Sequence, residues 1–303
     1  MRIGLIDVDS HNFPNLVLMK ISTWCKQRGH EVELLHPADV LNGSNLFYGY
    51  DKLIGACVFD WNKSMAERLS KIGVYMGGTG TNNKHTLPEK IERCFPDYSL
   101  YGIKDTAYGF LTRGCPRHCP FCIVGDKEGL ASRKVADLSE FWNGHKYIKL
   151  LDPNLLACAE HMNLLEQLAN SGAKVDFTQG LDARKLTRAN IDLINNIKIE
   201  RVHFAWDNPR DKRIPAALRI FLNHTNIKEV KRRTVYVLTN YWSTHEEDLY
   251  RVYWLRDNGY DPYVMIYDKP NAPKITRYLQ RWVNNKRIFR TVLKFEDYDH
   301  TIG

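Results

Sequence analysis

The chain has 303 residues and a net charge of +8 at pH 7, with 44% hydrophobic and 26% charged residues, which excludes disordered and fibrous classes and allows two domains. No uncharged run of 18 residues occurs, and residues 2–7 follow the start without the charged segment and long apolar core of a signal peptide, so we expect a cytoplasmic protein that does not span a membrane. Seven cysteines, an odd number, then indicate metal binding or catalysis more than disulfides.

Residues 1–80 alternate between strand and helix patterns. The predicted strands are residues 2–8, 31–35, 52–59 and 73–76, and a predicted helix covers residues 15–28. Strands that alternate with helices form a parallel sheet covered on both faces. We therefore expect a small Rossmann-like parallel-sheet domain, with Cys25 and Cys57 in its core.

Residues 81–105 are predicted to form a linker. Pro88 and Pro96 would break any long helix there. A strand-like run at residues 106–111 follows and leads directly into the most informative stretch of the chain.

Three cysteines, Cys115, Cys119 and Cys122, lie at spacings of four and three residues in this stretch. Thiolates are preferred ligands of iron–sulfur clusters and of structural zinc, and both are usually bound by four ligands. No fourth cysteine lies nearby, so a four-iron cluster held here would keep one iron open for an exogenous ligand. An open position is typical of a catalytic metal site. The alternative is a zinc site or a redox-labile group of thiols.

The spacing of Cys115, Cys119 and Cys122, with the aromatic Phe121 before the third cysteine, resembles the signature of the radical S-adenosylmethionine (radical SAM) enzymes. The resemblance implies a [4Fe–4S] cluster on the three cysteines and S-adenosylmethionine at the open iron. It also implies that S-adenosylmethionine is cleaved to a 5′-deoxyadenosyl radical, which abstracts hydrogen from a substrate. An electron donor such as flavodoxin or ferredoxin would reduce the cluster. Phe121 and Ile123 would flank the adenine.

Strand patterns recur from residue 106 onward. They cover residues 107–111, 147–151, 175–178, 202–206, 234–238 and 263–267, and helical patterns between them include residues 158–170 and 188–196. Each βα unit needs about 30 residues, so six units fit. We predict an α/β fold in which residues 106–303 form a partial (β/α)6 TIM-type barrel, which matches the radical SAM core.

Polar residues follow these strands, at the carboxyl ends of the strands, where barrel enzymes have their active sites. They are Asp152, Asn154, Gln179, Asp182, Arg184, Asp207 and Thr239. The resemblance implies that the first two hold the methionyl amino group, although the usual Gly-Gly-Glu is missing. Arg184 would pair with the cofactor carboxylate, Gln179 and Asp182 with ribose, and Asp207 with ribose or substrate, while Thr239 would line the pocket. A surface position of Arg184 after a helix start is the alternative.

The N-terminal module resembles the cobalamin-binding domain that precedes many radical SAM methyltransferases. Asp9-x-His11 matches part of that domain's Asp-x-His-x-x-Gly loop, but Pro14 stands where glycine is expected. Cobalamin binding is therefore one interpretation. The other, which these residues favour, is a degenerate Rossmann-like module that shapes the active site or an interface.

Residues 269–294 contain eight basic residues and no acidic one. A predicted amphipathic helix at residues 274–287 places Lys274, Arg277 and Arg281 on one face, which would attract RNA or remain a solvated face. The alternative to a radical SAM enzyme is thus a non-enzymatic zinc- or cluster-binding protein that contacts nucleic acid through this basic helix. The sequence identifies neither a substrate nor a reaction subtype.

Overall fold

The computed structural model describes residues 1–9, 13–42, 49–81 and 86–301. The chain divides into two compact units. The first comprises Met1–Gly109 and Ser139–His145, and the second comprises Phe110–Leu138 and Lys146–Gly303. The functional division at residues 80 and 105 stays a prediction.

The first unit contains a parallel four-stranded sheet. Its strands are β1 (Arg2–Asp7), β2 (Glu31–Leu35), β3 (Lys52–Ala56) and β4 (Tyr75–Gly77), in the order β2-β1-β3-β4. Its helices are α1 (Leu16–Lys26), α2 (Pro37–Leu41), α3 (Lys63–Lys71) and α4 (Glu89–Glu92), and a further strand, β5 (Thr106–Gly109), lies near its end. The four strands and the parallel pairing agree with the sequence pattern.

Helix α1 covers one face of this sheet. It begins after Asn15, whose side chain accepts hydrogen bonds from the first-turn amides, and Gly29, with φ +74°, follows its end. Its Leu18 packs with Ile3 and Leu5 of β1 in a buried cluster. Burial of such aliphatic side chains, each contributing about 1.5–3 kcal/mol, holds the helix on the sheet.

Polar groups at the carboxyl edge of this sheet bind other parts of the same unit. The Asp9 carboxylate accepts hydrogen bonds from the Val58 amide and from Asn62 Nδ2, the latter at 2.8 Å. A Cβ atom on Gly78 would lie 2.2 Å from the carbonyl oxygen of Cys57. Cobalamin binding and a degenerate Rossmann-like module both stay predictions for this unit. His11, the other half of the proposed cobalamin motif, lies outside the described residues.

The second unit contains a parallel sheet of its own. Its strands are β8 (Tyr147–Leu150), β9 (Lys174–Phe177), β10 (Lys198–Ala205), β11 (Arg233–Thr239) and β12 (Asp261–Ile266), paired in that order. Helices α6 (His161–Ser171), α7 (Arg188–Asn196), α8 (Arg213–His224) and α9 (His245–Asp257) connect them. The chain therefore has an α/β fold with parallel sheets, and closure into a partial barrel stays a prediction.

Before this sheet, the second unit has two short strands and a helix: β6 (Thr112–Arg113), β7 (Arg133–Lys134) and, between them, α5 (Val124–Glu128). After the sheet come α10 (Lys274–Asn284) and α11 (Lys286–Thr291). In the described part of the chain, no helix combines the length and apolar character that a membrane crossing requires.

The predicted helix at residues 274–287 is in fact two helices. Asn285 takes an extended conformation, with ψ 95°, and its side chain accepts hydrogen bonds from the Arg287 and Ile288 amides. An Asn side chain competes for backbone groups in this way and so ends one helix and starts the next. The buried Leu279, Trp282 and Val283 of α10 still pack as the apolar pattern predicts.

Candidate functional site

The three motif cysteines lie on one loop of the second unit. We call residues 114–132 the cysteine loop. Strands β6 and β7 flank it and pair antiparallel, with Arg113 opposite Arg133. The two ends of the loop are therefore held side by side, and the cysteines project from a closed turn rather than from an extended segment.

Glu128 holds the start of the cysteine loop in place. Its carboxylate accepts a hydrogen bond from the Gly114 amide at 3.1 Å and pairs with the Arg113 guanidinium at 2.8 Å. The Cys115 amide donates to the carbonyl of Gly129 at 3.1 Å. These bonds fix the backbone at the first cysteine through protein groups alone.

Gly114 is required by the geometry of the loop. Its φ is +85°, and a Cβ atom there would lie 2.2 Å from the carbonyl oxygen of Ala131. A side chain would therefore meet both backbone strain and a clash with the returning chain. The glycine before the first cysteine allows the two sides of the loop to approach each other.

The three thiols share one electrostatic environment. Cys115 and Cys119 are half-buried and Cys122 is exposed, and the Cys122 amide donates to the Cys119 carbonyl at 2.9 Å. Burial raises the pKa of the Cys119 thiol, and the charges of Asp207, Cys122 and Cys115 raise it further. Partial burial likewise raises the pKa of Cys122, with Cys115 and Asp207 adding to the effect.

Within the described residues, no three His, Cys, Asp or Glu side chains come close enough together to hold a single metal ion. In a [4Fe–4S] cluster the thiolates bind different iron atoms, so the sulfurs need not converge as they do on one zinc ion. The chemistry of the cysteine loop, three thiols with no fourth cysteine on the loop, fits a cluster with an open iron.

Asp152 fixes the strand that leads into the cysteine loop. Its carboxylate accepts hydrogen bonds from the Leu111 amide at 3.2 Å, from the Thr112 amide, and from the Thr112 hydroxyl at 2.7 Å. Burial raises the pKa of this carboxyl to about 6, against the opposing effect of these hydrogen bonds. In this conformation the side chain is engaged by the protein, and its predicted cofactor contact stays a prediction.

Asn154 and Asp182 connect the first cysteine to a group of charges. Asn154 is buried, and its Nδ2 lies 3.4 Å from both Cys115 Sγ and Asp182 Oδ2. Asp182 pairs with Arg184 at 2.6 Å, and Arg184 reaches Asp211 at 3.3 Å. Arg184 therefore does not project from the surface, as the alternative required, although Asp182 does cap the turn after it.

Asp207 lies just after the carboxyl end of β10. Burial raises its pKa to about 6, although Arg251 and Arg184 oppose this effect. Arg251, fully buried on α9, donates to the Asp207 carbonyl at 2.9 Å and pairs with Asp248. Arg251 could not be identified from the sequence, because an Asp–Arg pair three residues apart is also typical of an exposed helix face.

An aromatic group packs beside the cysteine loop. The Phe121 ring lies 5.4 Å from each of the Tyr241 and Trp242 rings, and Tyr241 lies 4.7 Å from Tyr267. Asn240 supports this group with a left-handed backbone, φ +62°, and a 2.8 Å bond from its Nδ2 to the Tyr267 carbonyl. Trp242 and Tyr267 are partly open to solvent, so the group presents an accessible aromatic surface.

Three further predicted site residues have simpler surroundings. Gln179 is exposed, Ile123 is 49% exposed next to Cys122, and Thr239 is fully buried with its hydroxyl donating to the Met265 carbonyl at 3.1 Å. The described contacts thus connect Cys115, Asn154, Asp182 and Arg184 directly. The roles of Gln179, Ile123 and Thr239 stay predictions.

No family model matches the chain. The chain is 28% identical over 133 residues to tRNA-2-methylthio-N(6)-dimethylallyladenosine synthase from Flavobacterium psychrophilum. The match covers 40% of this chain and 26% of that synthase, so it spans about a quarter of the length of this curated relative. The similarity is weak and partial, and it lends loose support to a place in the radical SAM superfamily.

Proposed function

We propose that the chain is a radical SAM enzyme that abstracts a hydrogen atom from its substrate. The observation that carries the proposal is the cysteine loop: three cysteines at spacings of four and three residues, on a loop that protein contacts hold closed. The partial similarity to the Flavobacterium psychrophilum synthase, a radical SAM family member, supports the same conclusion.

Cys115, Cys119 and Cys122 would hold a [4Fe–4S] cluster. Such a cluster would take one electron from a donor such as flavodoxin or ferredoxin and would supply it to S-adenosylmethionine, which would separate into methionine and a 5′-deoxyadenosyl radical. The chain's own residues supply orientation and exclusion of water, which the cofactor cannot provide. Trp206 and Thr239, at the carboxyl ends of β10 and β11, are both fully buried, so water is excluded from the interior at these strand ends.

The groups around the cysteine loop fit the parts of S-adenosylmethionine. Asn154 Oδ1 is a buried acceptor without a partner among the described groups, and it suits the donated hydrogens of the methionyl amino group. Arg184 suits the carboxylate, because a guanidinium pairs with a carboxylate through two parallel hydrogen bonds. Asp152 would act on the same loop by holding Thr112 in place.

The aromatic group of Phe121, Tyr241, Trp242 and Tyr267, whose rings pack edge to face, would offer a ring face to adenine. Ile123 would cover the other side of the base. Gln179 and Asp182 would bind ribose hydroxyls, and Asp207 would contact ribose or substrate. Stacking and apolar contact bind a base without reading its edges, which suits a cofactor site.

We propose RNA as the substrate class. The relative's name states that it acts on an adenosine of tRNA. In this chain the eight basic residues at 269–294 provide positive charge, and a basic surface attracts polyanions. The cytoplasm would supply both RNA and the electron donor.

Anaerobic reconstitution with iron and sulfide tests the enzyme proposal. We expect iron–sulfur absorbance and, under reductant, formation of 5′-deoxyadenosine. Both should disappear in a C115A/C119A/C122A variant and persist in C94A, which removes a buried cysteine of the first unit. A colourless protein with stoichiometric zinc would instead support the non-enzymatic alternative.

A further inference from the structure

Asn154 is held rigidly next to the first cysteine of the loop. It follows β8 in the second unit and is 2% exposed. Its backbone carbonyl accepts a hydrogen bond from Ser132 Oγ, at the far end of the cysteine loop, at 2.8 Å. The side chain therefore projects toward Cys115 from a backbone that the loop itself anchors.

The chemistry of its neighbours sets the orientation of the Asn154 amide. Cys115 Sγ and Asp182 Oδ2 each lie 3.4 Å from Nδ2. A thiolate and a carboxylate only accept hydrogen bonds, so the amide must present its NH2 group to both. The opposite orientation would place the amide oxygen against two negative charges.

Asp182 is fixed in turn by a second contact. Arg184 Nε lies 2.6 Å from Asp182 Oδ1, so the carboxylate keeps its other oxygen toward Asn154. The amide is consequently held between a charged group and a sulfur that would bind iron. Groups one step removed from a metal tune it in this way by orienting and polarising its ligands.

We propose that Asn154 is a positioning residue that donates a hydrogen bond to the Cys115 sulfur and raises the reduction potential of the cluster bound there. The inference rests on the proposed function. Reduction adds negative charge that spreads onto the sulfur ligands, and an N–H donor stabilises that charge. The amide also separates the sulfur from the Asp182 carboxylate, whose charge would oppose reduction.

A redox titration of the reconstituted protein, followed by absorbance and by electron paramagnetic resonance, tests the inference. We expect Asn154→Leu to lower the one-electron reduction equilibrium constant by about tenfold, which corresponds to about 59 mV. Asn154→Asp keeps the shape of the side chain but replaces NH2 with a charged oxygen, so it should lower the potential further. Ser132→Ala is the matched control, because it loosens the same backbone without removing the amide.

The outcomes separate the two proposals. If the wild-type protein forms no [4Fe–4S] cluster, the proposed function is wrong. If the cluster forms and both Asn154 variants keep the wild-type potential, the inference alone is overturned. A Ser132→Ala potential that falls as far as that of Asn154→Leu would also overturn it, because loop position rather than the amide would then set the potential. If Asn154→Leu forms no cluster, the redox titration of Asn154→Asp tests the inference alone, and a wild-type potential in that variant overturns it.

Discussion

At the scale of single residues, Arg251 gives the site much of its rigidity. Its guanidinium has no exposed surface, and it donates to the carbonyls of Trp206, Asp207 and Leu238, which lie at the ends of β10 and β11. Its charge is balanced by Asp248 on the same helix. A single side chain thus joins two strand ends of the second unit next to Asp207.

Arg251→Met should therefore destabilise the protein strongly. The change leaves the Asp248 carboxylate buried without its partner and three carbonyls without their donor, and breaking such a pair costs about 3–5 kcal/mol. Chemical denaturation measures the loss. Arg188→Met, which breaks an exposed pair with Asp192, is the control and should cost less than about 1 kcal/mol. Equal losses would contradict the role of Arg251.

Trp242 should contribute to binding of S-adenosylmethionine. In the cluster-loaded protein we expect Trp242→Ala to weaken binding by up to about tenfold, because an aromatic contact contributes about 0.5–1.5 kcal/mol beyond its buried area. Equilibrium dialysis measures the affinity. Trp61→Ala removes a 70% exposed tryptophan of the first unit and should leave the affinity unchanged. An unchanged affinity in Trp242→Ala would contradict the proposal that the aromatic group belongs to the cofactor site.

At the scale of elements, the cysteine loop depends on the close approach of its two sides. Two glycines of the loop, Gly114 and Gly129, both have positive φ. A Cβ atom on Gly114 would meet the Ala131 carbonyl at 2.2 Å, whereas the nearest neighbour of a Cβ atom on Gly129 is Arg133 Nη1 at 3.8 Å. The two positions therefore separate the effect of backbone strain from the effect of a clash.

Gly114→Ala should prevent the loop from closing and lower iron incorporation severalfold. Gly129→Ala has no clash and carries only the strain of a backbone conformation, φ +97° and ψ 167°, that is essentially restricted to glycine, about 1–3 kcal/mol, so it should still bind iron. The iron content per chain after reconstitution is the measurement. If both variants incorporate equal amounts of iron, the close approach of the chain at Gly114 is not required for the loop to close.

Long periodic elements were predictable from the sequence, and short or polar ones were not. Helix α7 was predicted with its observed bounds, and the Thr244–Glu247 capping box of α9 is present. Strand β10 begins four residues before its predicted start, because exposed polar residues hide the pattern in its first half. Strands β6 and β7 have two residues each, too few to show any period.

The residues of the candidate site could be proposed from the sequence, whereas the contacts that support them could not. The cysteine spacing identified the loop, and the strand ends identified Asn154, Asp182 and Arg184. The sequence did not indicate that Glu128 binds Gly114, or that Asn154 reaches a sulfur. Such contacts depend on the three-dimensional path of the loop, which residue spacing does not encode.

At the scale of the whole molecule, the buried carboxyl of Asp152 makes stability depend on pH. Burial raises its pKa from 3.8 to about 6, so the folded protein holds this proton more tightly than the unfolded chain. The contribution to stability is therefore complete below about pH 4 and is lost as the pH rises to about 6. At neutral pH the folded protein bears the cost of an ionised buried group.

The free energy of unfolding of the apoprotein, taken relative to Asp152→Asn, should fall by about 2 kcal/mol between pH 4 and pH 7. The variant lacks this titration, so the difference isolates it from the other acidic groups. Denaturation curves across that range provide the measurement. Asp192→Asn, at an exposed position, should keep the wild-type pH dependence. A difference that is constant with pH would show that Asp152 does not titrate in this way.

The bond between Glu128 and Gly114, together with the pairing of Arg113 and Arg133, has a practical consequence for handling the protein. Zinc fingers unfold when a chelator strips their metal, because the metal supplies their folding energy. Here the contacts of the Glu128 carboxylate and of the backbone already fix the conformation of the cysteine loop. Removal of iron should therefore leave the circular dichroism spectrum of the protein unchanged. Fresh iron and sulfide should then restore the original colour without any refolding step.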